Sequence, residues 1–192
     1  MVMNIMKEQI INLFTDLYNA MLCGLWYSGY KGEGEYKEWH KNGELHKHCF
    51  YKNEKLEGEY KRWNEYGQLC IHCFYKKGEF HGEYKEWHGN GQLVKHFFYK
   101  NGKLDGECEY WYNNGQFMQY CFMKNDIHDG EWKYCYSNGQ LWLHCFYKNG
   151  KSDGEYKSWH EDGQLKKHCF YKNSIEYSVK DAKKLFPEGP WI

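Results

Sequence analysis

Residues 34–53 read GEYKEWHKNGELHKHCFYKN, and the string returns at Gly58, Gly82, Gly106, Gly130 and Gly154. Each step is 24 residues without insertion, so six copies fill 34–177. Glycine stands first in every copy and glutamate second. A second glycine is also constant: Gly43, Gly67, Gly91, Gly115, Gly139 and Gly163. Phe50 and its five equivalents, Phe74, Phe98, Phe122, Phe146 and Phe170, are the third fixed feature. A period of this length means one supersecondary unit stacked on copies of itself.

Each copy reads as a β-hairpin. Asn42-Gly43, Asn90-Gly91, Asn114-Gly115 and Asn138-Gly139 are residues that a two-residue type I′ turn favours, because both turn positions need positive φ. Tyr, Trp and Phe flank these turns, as strands prefer. A further turn closes each copy, as at Asn101-Gly102 and Asn149-Gly150. The expected fold is therefore all-β: about twelve antiparallel strands in one elongated, twisted sheet of tandem hairpins. Pairing across the Asn-Gly turn sets position 8 of the repeat opposite 11, 5 opposite 14, 3 opposite 16 and 1 opposite 18. One face then holds Tyr36 opposite Cys49, Glu38 opposite Lys47, and Gly34 under the Tyr51 ring. The other face holds Trp39, His48 and Phe50. Both faces mix aromatic and charged side chains, so pairing alone leaves open which is more buried. With strands about 4.8 Å apart, six hairpins extend roughly 58 Å.

The composition follows from the copying. Among 192 residues stand 19 Tyr, 11 Phe and 9 Trp beside 2 Pro, 6 Ser and one Thr, and so rich an aromatic content excludes disorder for most of the length. Lys plus Arg and Asp plus Glu are both 26, so no excess of either sign supports a polybasic anchor or a non-specific nucleic-acid coat. A mean hydropathy of −0.99 excludes a multi-span membrane protein.

The Gly-Glu-Tyr-x-x-Trp-x-x-Asn-Gly-x-Leu strings followed by Phe-Tyr-x-Asn-Gly resemble the MORN repeat, closest to its variant form. Three departures stand out: Cys108 replaces the usual Tyr, Cys135 replaces Trp, and Tyr66 precedes Gly67. The resemblance implies a ribbon of hairpins that serves as a scaffold or partner-binding surface, or binds phospholipid. It also implies the bacterial, protist or giant-virus settings where such proteins are numerous, and toxin neutralisation as among bacterial relatives.

Four segments follow: 1–24, 25–33, 34–177 and 178–192. In the first, Met6, Ile10, Leu13, Phe14, Leu17 and Met21 recur at helical spacing, the pattern of an amphipathic helix that caps the first strand edge or docks elsewhere. Its polar interruptions, such as Asn12 and Asp16, exclude a membrane span. The second is a half repeat, with Trp26-Tyr27 in phase with Phe50-Tyr51. In the last, Ser178 and Asp181 resemble a capping box opening a short helix to about Phe186, stopped by Pro187, with Trp191 and Ile192 folding back on the last hairpin.

Nine Cys and eleven His invite a metal or disulfide reading. Spacing opposes both. Cys49, Cys73, Cys121, Cys145 and Cys169 share one repeat position and recur about 9–10 Å apart, beyond the reach of a disulfide or of one zinc ion. His48 and Cys49, and likewise Cys70 and Cys73, point to opposite faces of a strand. The cysteines read as buried free thiols, which implies a reducing, intracellular compartment. The column His48, His72, His96, His144 and His168 reads as polar spacers beside Glu and Lys. Catalysis needs one asymmetric constellation, whereas these groups recur copy after copy, so no catalytic residue, metal or cofactor is assigned. The candidate interaction surface is the column Trp39, Trp63, Trp87, Trp111 and Trp159. The expected partner is another protein or a second copy of the chain, with anionic phospholipid as the alternative. Nucleic acid is disfavoured, because Lys37, Lys61 and Lys85 lie beside glutamates.

Overall fold

The computed structural model describes residues 32–187. The N-terminal helix, most of the half repeat and the placement of Trp191 and Ile192 lie outside the described residues. Thirteen strands form one antiparallel sheet in sequence order: β1 (Gly34–Trp39), β2 (Leu45–Lys52), β3 (Lys55–Trp63), β4 (Leu69–Lys76), β5 (Glu79–Trp87), β6 (Leu93–Lys100), β7 (Lys103–Trp111), β8 (Phe117–Lys124), β9 (Ile127–Cys135), β10 (Leu141–Lys148), β11 (Lys151–Trp159), β12 (Leu165–Lys172) and β13 (Ile175–Tyr177). The thirteenth strand is the end of the sixth copy, paired with β12. A helix, α1 (Val179–Leu185), follows it. The Ser178 hydroxyl accepts from the Asp181 amide at 3.1 Å, which caps the helix as the spacing implies, but the Asp181 carboxylate accepts from that hydroxyl at 2.6 Å rather than from the Ser178 amide, so only half of a capping box forms.

The turn chemistry differs from the sequence reading. Asn42-Gly43 is not a type I′ pair. Among residues 40–44 only Gly43 has positive φ, at 88°. The Gly43 amide donates to the His40 carbonyl at 3.0 Å, and the His40 amide donates to the Glu44 carbonyl at 2.8 Å. This is a three-residue loop ending on a left-handed glycine. The true type I′ turns close the copies: Asn53-Glu54, Lys77-Gly78, Asn101-Gly102, Asn125-Asp126, Asn149-Gly150 and Asn173-Ser174 all have positive φ at both positions. Asparagine in the open turns works through its side chain instead. Asn42 Oδ1 accepts from the Glu44 amide at 3.1 Å, and Asn42 Nδ2 donates to Glu65 O in the next open turn at 2.7 Å. Asn90, Asn114 and Asn138 repeat that bridge to Asn113, Ser137 and Glu161.

An odd loop would shift the register by one, yet Glu38↔Lys47, Tyr36↔Cys49 and Gly34↔Tyr51 pair as the repeat implies. A bulge restores phase. Trp39 pairs with Leu45, which leaves His46 as the extra residue. A second irregularity lies between copies. Cys49 pairs with Tyr60 and Tyr51 with Leu56, so Phe50 alone spans Glu57, Gly58 and Glu59. Gly58 has φ 84°, and Gly106, Gly130 and Gly154 reach 132–140° at the same place. The first glycine of copies two to six is thus a bulge glycine. From Gly82 onward the nearest atoms to a Cβ there belong to the phenylalanine of the preceding copy. A Cβ on Gly106, Gly130 or Gly154 would lie 3.0 Å from the Cβ of Phe98, Phe122 or Phe146.

The register also decides which face is buried. Cys49, Cys73, Phe97, Cys121, Cys145 and Cys169 are all buried; the first five face an aromatic or sulfur side chain across both neighbouring strands, and Cys169 faces Tyr156 across one. The core is therefore one column of small residues roofed by tyrosines, as in the edge-to-face pairs Tyr36–Tyr51 at 5.9 Å and Tyr60–Tyr75 at 5.6 Å. Strands touch chiefly their neighbours in sequence, the arrangement of a quasi-one-dimensional solenoid.

Candidate interaction surface

The face opposite the cysteines carries a ladder of ion pairs. Glu35 accepts from Lys37 at 2.9 Å and lies 2.8 Å from His48 Nε2. Glu59 does the same with Lys61 and His72, Glu83 with Lys85 and His96, Glu131 with Lys133 and His144, and Glu155 with Lys157 and His168, all at 2.8–2.9 Å. Glutamate at position 2, lysine at 4 and histidine at 15 thus form one unit per copy, and each imidazole also lies against the phenylalanine two residues on, at 5.1 Å for His48–Phe50. Copy four breaks the pattern. Glu109 replaces the lysine and sits 3.0 Å from His96 Nδ1, and Tyr120 replaces the histidine and donates to Glu107 at 3.4 Å.

The Lys and His contacts hold these carboxyls below their ordinary range. For Glu59 and Glu83 the lysine hydrogen bond is the largest influence; for Glu131 and Glu155 burial opposes the shift and the two hydrogen bonds together outweigh it. A carboxyl lowered in the folded state stabilises it above the unfolded value and ceases to do so as pH falls through the folded value. The urea midpoint is therefore expected to begin to fall below about pH 6.5, because burial holds the His128 imidazole below its ordinary value, and to fall more steeply below the ordinary carboxyl value of 4.5 as the ladder is lost. An unchanged midpoint at about pH 3 would contradict the ladder.

The tryptophans lie in a row beside the open turns. Trp39, Trp63, Trp87, Trp111 and Trp159 each pair with the first residue of the following strand at the bulge. Trp39 is 46% exposed and the others are half-buried. Trp111 stacks edge-on against Phe117 at 5.9 Å. In copy five Cys135 occupies this place, while Trp142, 40% exposed, packs edge-on against Tyr134 at 5.0 Å. The sequence reading did not single out Trp142, because it lies one position past the repeat's leucine where the other copies vary. The open-turn glycines Gly43, Gly67, Gly91, Gly115, Gly139 and Gly163 all have positive φ.

The phenylalanine column shares the face of the ion pairs and ends under α1. Ala182 is fully buried there, Phe170 is 5% exposed, and Phe186 meets Tyr177 at 5.5 Å. Phe122, on β8 and five strands before β13, is 38% exposed. Beside α1 a groove of about 480 Å³ is lined by His144, Phe146, Glu155, Phe170, Tyr177 and Phe186.

Two thiols of the column are chemically quiet. Burial pushes the Cys73 thiol up to about 12 and Cys145 to about 11, so neither is a nucleophile near neutrality. Among the described residues no group of three or more His, Cys, Asp or Glu could hold a metal ion. No helix among them is long and apolar enough to cross a membrane.

One open sheet of consecutive hairpins, with a single core column and the same polar unit repeated along its other face, defines a hairpin-repeat solenoid. The chain belongs to the MORN repeat variant family, whose pattern matches residues 32–53, 80–101, 104–125, 129–149 and 152–173. Copy two falls between the matched segments, yet β3 and β4 pair as the other hairpins do. Its open turn substitutes Asn64 for the usual asparagine: Asn64 Oδ1 accepts from the amides of Tyr66 and Gln68 at 3.0 Å. No curated protein matches the chain. Among solved structures, alternansucrase in complex with isomaltononaose aligns with 76% of this chain at 11% identity and a TM-score of 0.11. The alignment covers 18% of that protein.

Proposed function

We propose that the protein is a non-catalytic scaffold whose repeated surface binds another protein or a second copy of itself. The supporting observation is the open face. The same Glu-Lys-His-Phe unit recurs in five of the six copies, and along the described sheet only its last member lies under a helix. Such a face offers a partner many equivalent contacts in register, and the tryptophan row borders it. The face lysines are already neutralised by glutamates at 2.8–2.9 Å, which disfavours them as headgroup ligands.

A second reading, an anionic phospholipid surface, has its own observation. Lys52 faces Lys55, Lys100 faces Lys103 and Lys148 faces Lys151 across closing turns. Like charges set opposite each other destabilise a ladder, and an anionic partner would relieve them. Co-sedimentation with phosphatidylserine vesicles separates the readings. A scaffold does not pellet, whereas a lipid binder pellets at about 50 mM salt and is released at about 300 mM. The scaffold reading further expects a partner captured from the native cell by the wild type to be lost with Trp39→Ser and Trp63→Ser, while the variant's folding is unchanged.

A further inference from the structure

In five of the six copies the third residue is a large aromatic: Tyr36, Tyr60, Tyr84, Trp132 or Tyr156. It faces Cys49, Cys73, Phe97, Cys145 or Cys169 across the hairpin. In copy four it is Cys108, and its partner is Cys121. This is the one pairing of the register that sets thiol against thiol. Cysteines of one column lie too far apart for a disulfide, whereas this pair lies across a hairpin. Residues directly opposite in an antiparallel pair have Cα atoms about 4.5–5.5 Å apart. A disulfide requires about 4.4–6.8 Å, so the backbone need not move to form one.

The surroundings favour the bond. Cys108 is 1% exposed and Cys121 4%, and the row across the sheet runs Phe97, Cys108, Cys121, Trp132. The two side chains lie within hydrogen-bonding reach of each other. They share a buried cluster with Phe97 and Met123, against which Tyr99, Leu104 and Tyr110 pack, so no other cysteine stands in it. Both thiols are free in the reduced chain.

We propose that Cys108 and Cys121 form a cross-strand redox site, which a peroxide-class oxidant converts to an intrachain disulfide stapling β7 to β8 at the middle of the ribbon. One thiolate attacks a peroxide oxygen; an S–O bond forms, the O–O bond breaks and hydroxide leaves. The second thiolate then attacks the sulfenyl sulfur; the S–S bond forms, the S–O bond breaks and a second hydroxide leaves. The two thiol protons convert both hydroxides to water. Two electrons pass from sulfur to peroxide. Burial disfavours thiolates, so the reaction proceeds through local opening of the hairpin and is slow beside that of an exposed thiol.

The pair can be read from one peptide, because no lysine or arginine lies between Leu104 and Met123 and trypsin releases 104–124 with both cysteines. The full chain is treated with hydrogen peroxide, unfolded with iodoacetamide present, and digested without reductant. The expected product is peptide 104–124 unalkylated and lighter by two hydrogens than its reduced form, restored to double alkylation by dithiothreitol. The oxidised chain should also unfold at a higher urea concentration than the reduced chain, because the bond restricts the unfolded state. Cys108→Tyr restores the residue of the neighbouring copies and should leave Cys121 alkylated after the same treatment; Cys108→Ser serves if the tyrosine variant does not fold. The proposal is overturned if peptide 104–124 stays doubly alkylated while other cysteines oxidise, if either cysteine is found bonded to another partner or another chain, or if oxidation lowers the urea midpoint.

Discussion

Replacing Gly154 with alanine is expected to cost about 2–3 kcal/mol, more than most surface substitutions in a sheet. Two effects combine. The residue has φ 132°, a conformation that side chains rarely adopt. Its new Cβ would also lie 3.0 Å from the Cβ of Phe146. That neighbour is a stem atom and cannot swing aside, so β10 and β11 must separate or the bulge must unwind. The bulge in turn sets the register between copies, since Phe146 spans Asp153, Gly154 and Glu155 there. Gly91→Ala is the control. Its φ is 82°, and nothing lies within 4 Å of the added carbon, so only the left-handed penalty of about 1 kcal/mol applies. Urea midpoints of the two variants measure the difference. Equal losses would show that the phenylalanine contact contributes nothing.

The contrast between these glycines shows what a sequence discloses here and what it conceals. Period, hairpin and cross-strand pairs were legible because each rests on local chemistry repeated six times. Tyr36 opposite Cys49 followed from counting across one turn. The kind of turn did not, because Asn-Gly fits a two-residue type I′ loop and the end of a three-residue loop equally well. What decides is the bulge at Trp39, where one extra residue in β2 restores the phase that the longer loop displaces. Two deviations cancel, so the pairs came out correctly from a mistaken turn. The buried face was hidden for a different reason. Tyrosine, lysine and glutamate stand on both faces, and only the packing of rings over cysteine makes one of them the core. The Cys108–Cys121 pair was within reach of the register itself, since position 3 opposite position 16 holds in every copy; it escaped notice because the cysteines were compared only with their own column. The interaction surface remained least legible. Repetition spreads its chemistry evenly, so no residue type marks a single centre.

Deleting one whole copy and deleting half a copy should have opposite consequences. Removal of 58–81 joins Glu57 to Gly82, so β3 and β5 merge into one strand that keeps the Asn53-Glu54 closing turn on one side and the Gly82–Trp87 hairpin on the other. Tyr84 then faces Cys49 as Tyr60 does now, and the glycine bulge against Phe50 is preserved by Gly82. Because strands contact chiefly their immediate neighbours, nothing distant is lost. The shortened chain is expected to unfold in one transition with an m-value roughly an eighth lower, in proportion to the surface removed. Removal of 58–69 joins Glu57 to Cys70 and takes away a single strand with its open turn. Every later strand then runs in the reverse direction, and its open turns move to the edge that holds the closing turns of the first copy. Asn42 loses Glu65 as acceptor, His40 loses the Trp63 carbonyl, and no later residue reaches either place. The bulge glycine of that junction is gone as well. The halves before and after the seam no longer share a core column, so unfolding is expected to split into two transitions, with the first part melting at a much lower urea concentration. A single transition at the wild-type midpoint in the half-copy deletion would mean that long-range contacts, and not neighbouring hairpins, hold the ribbon together.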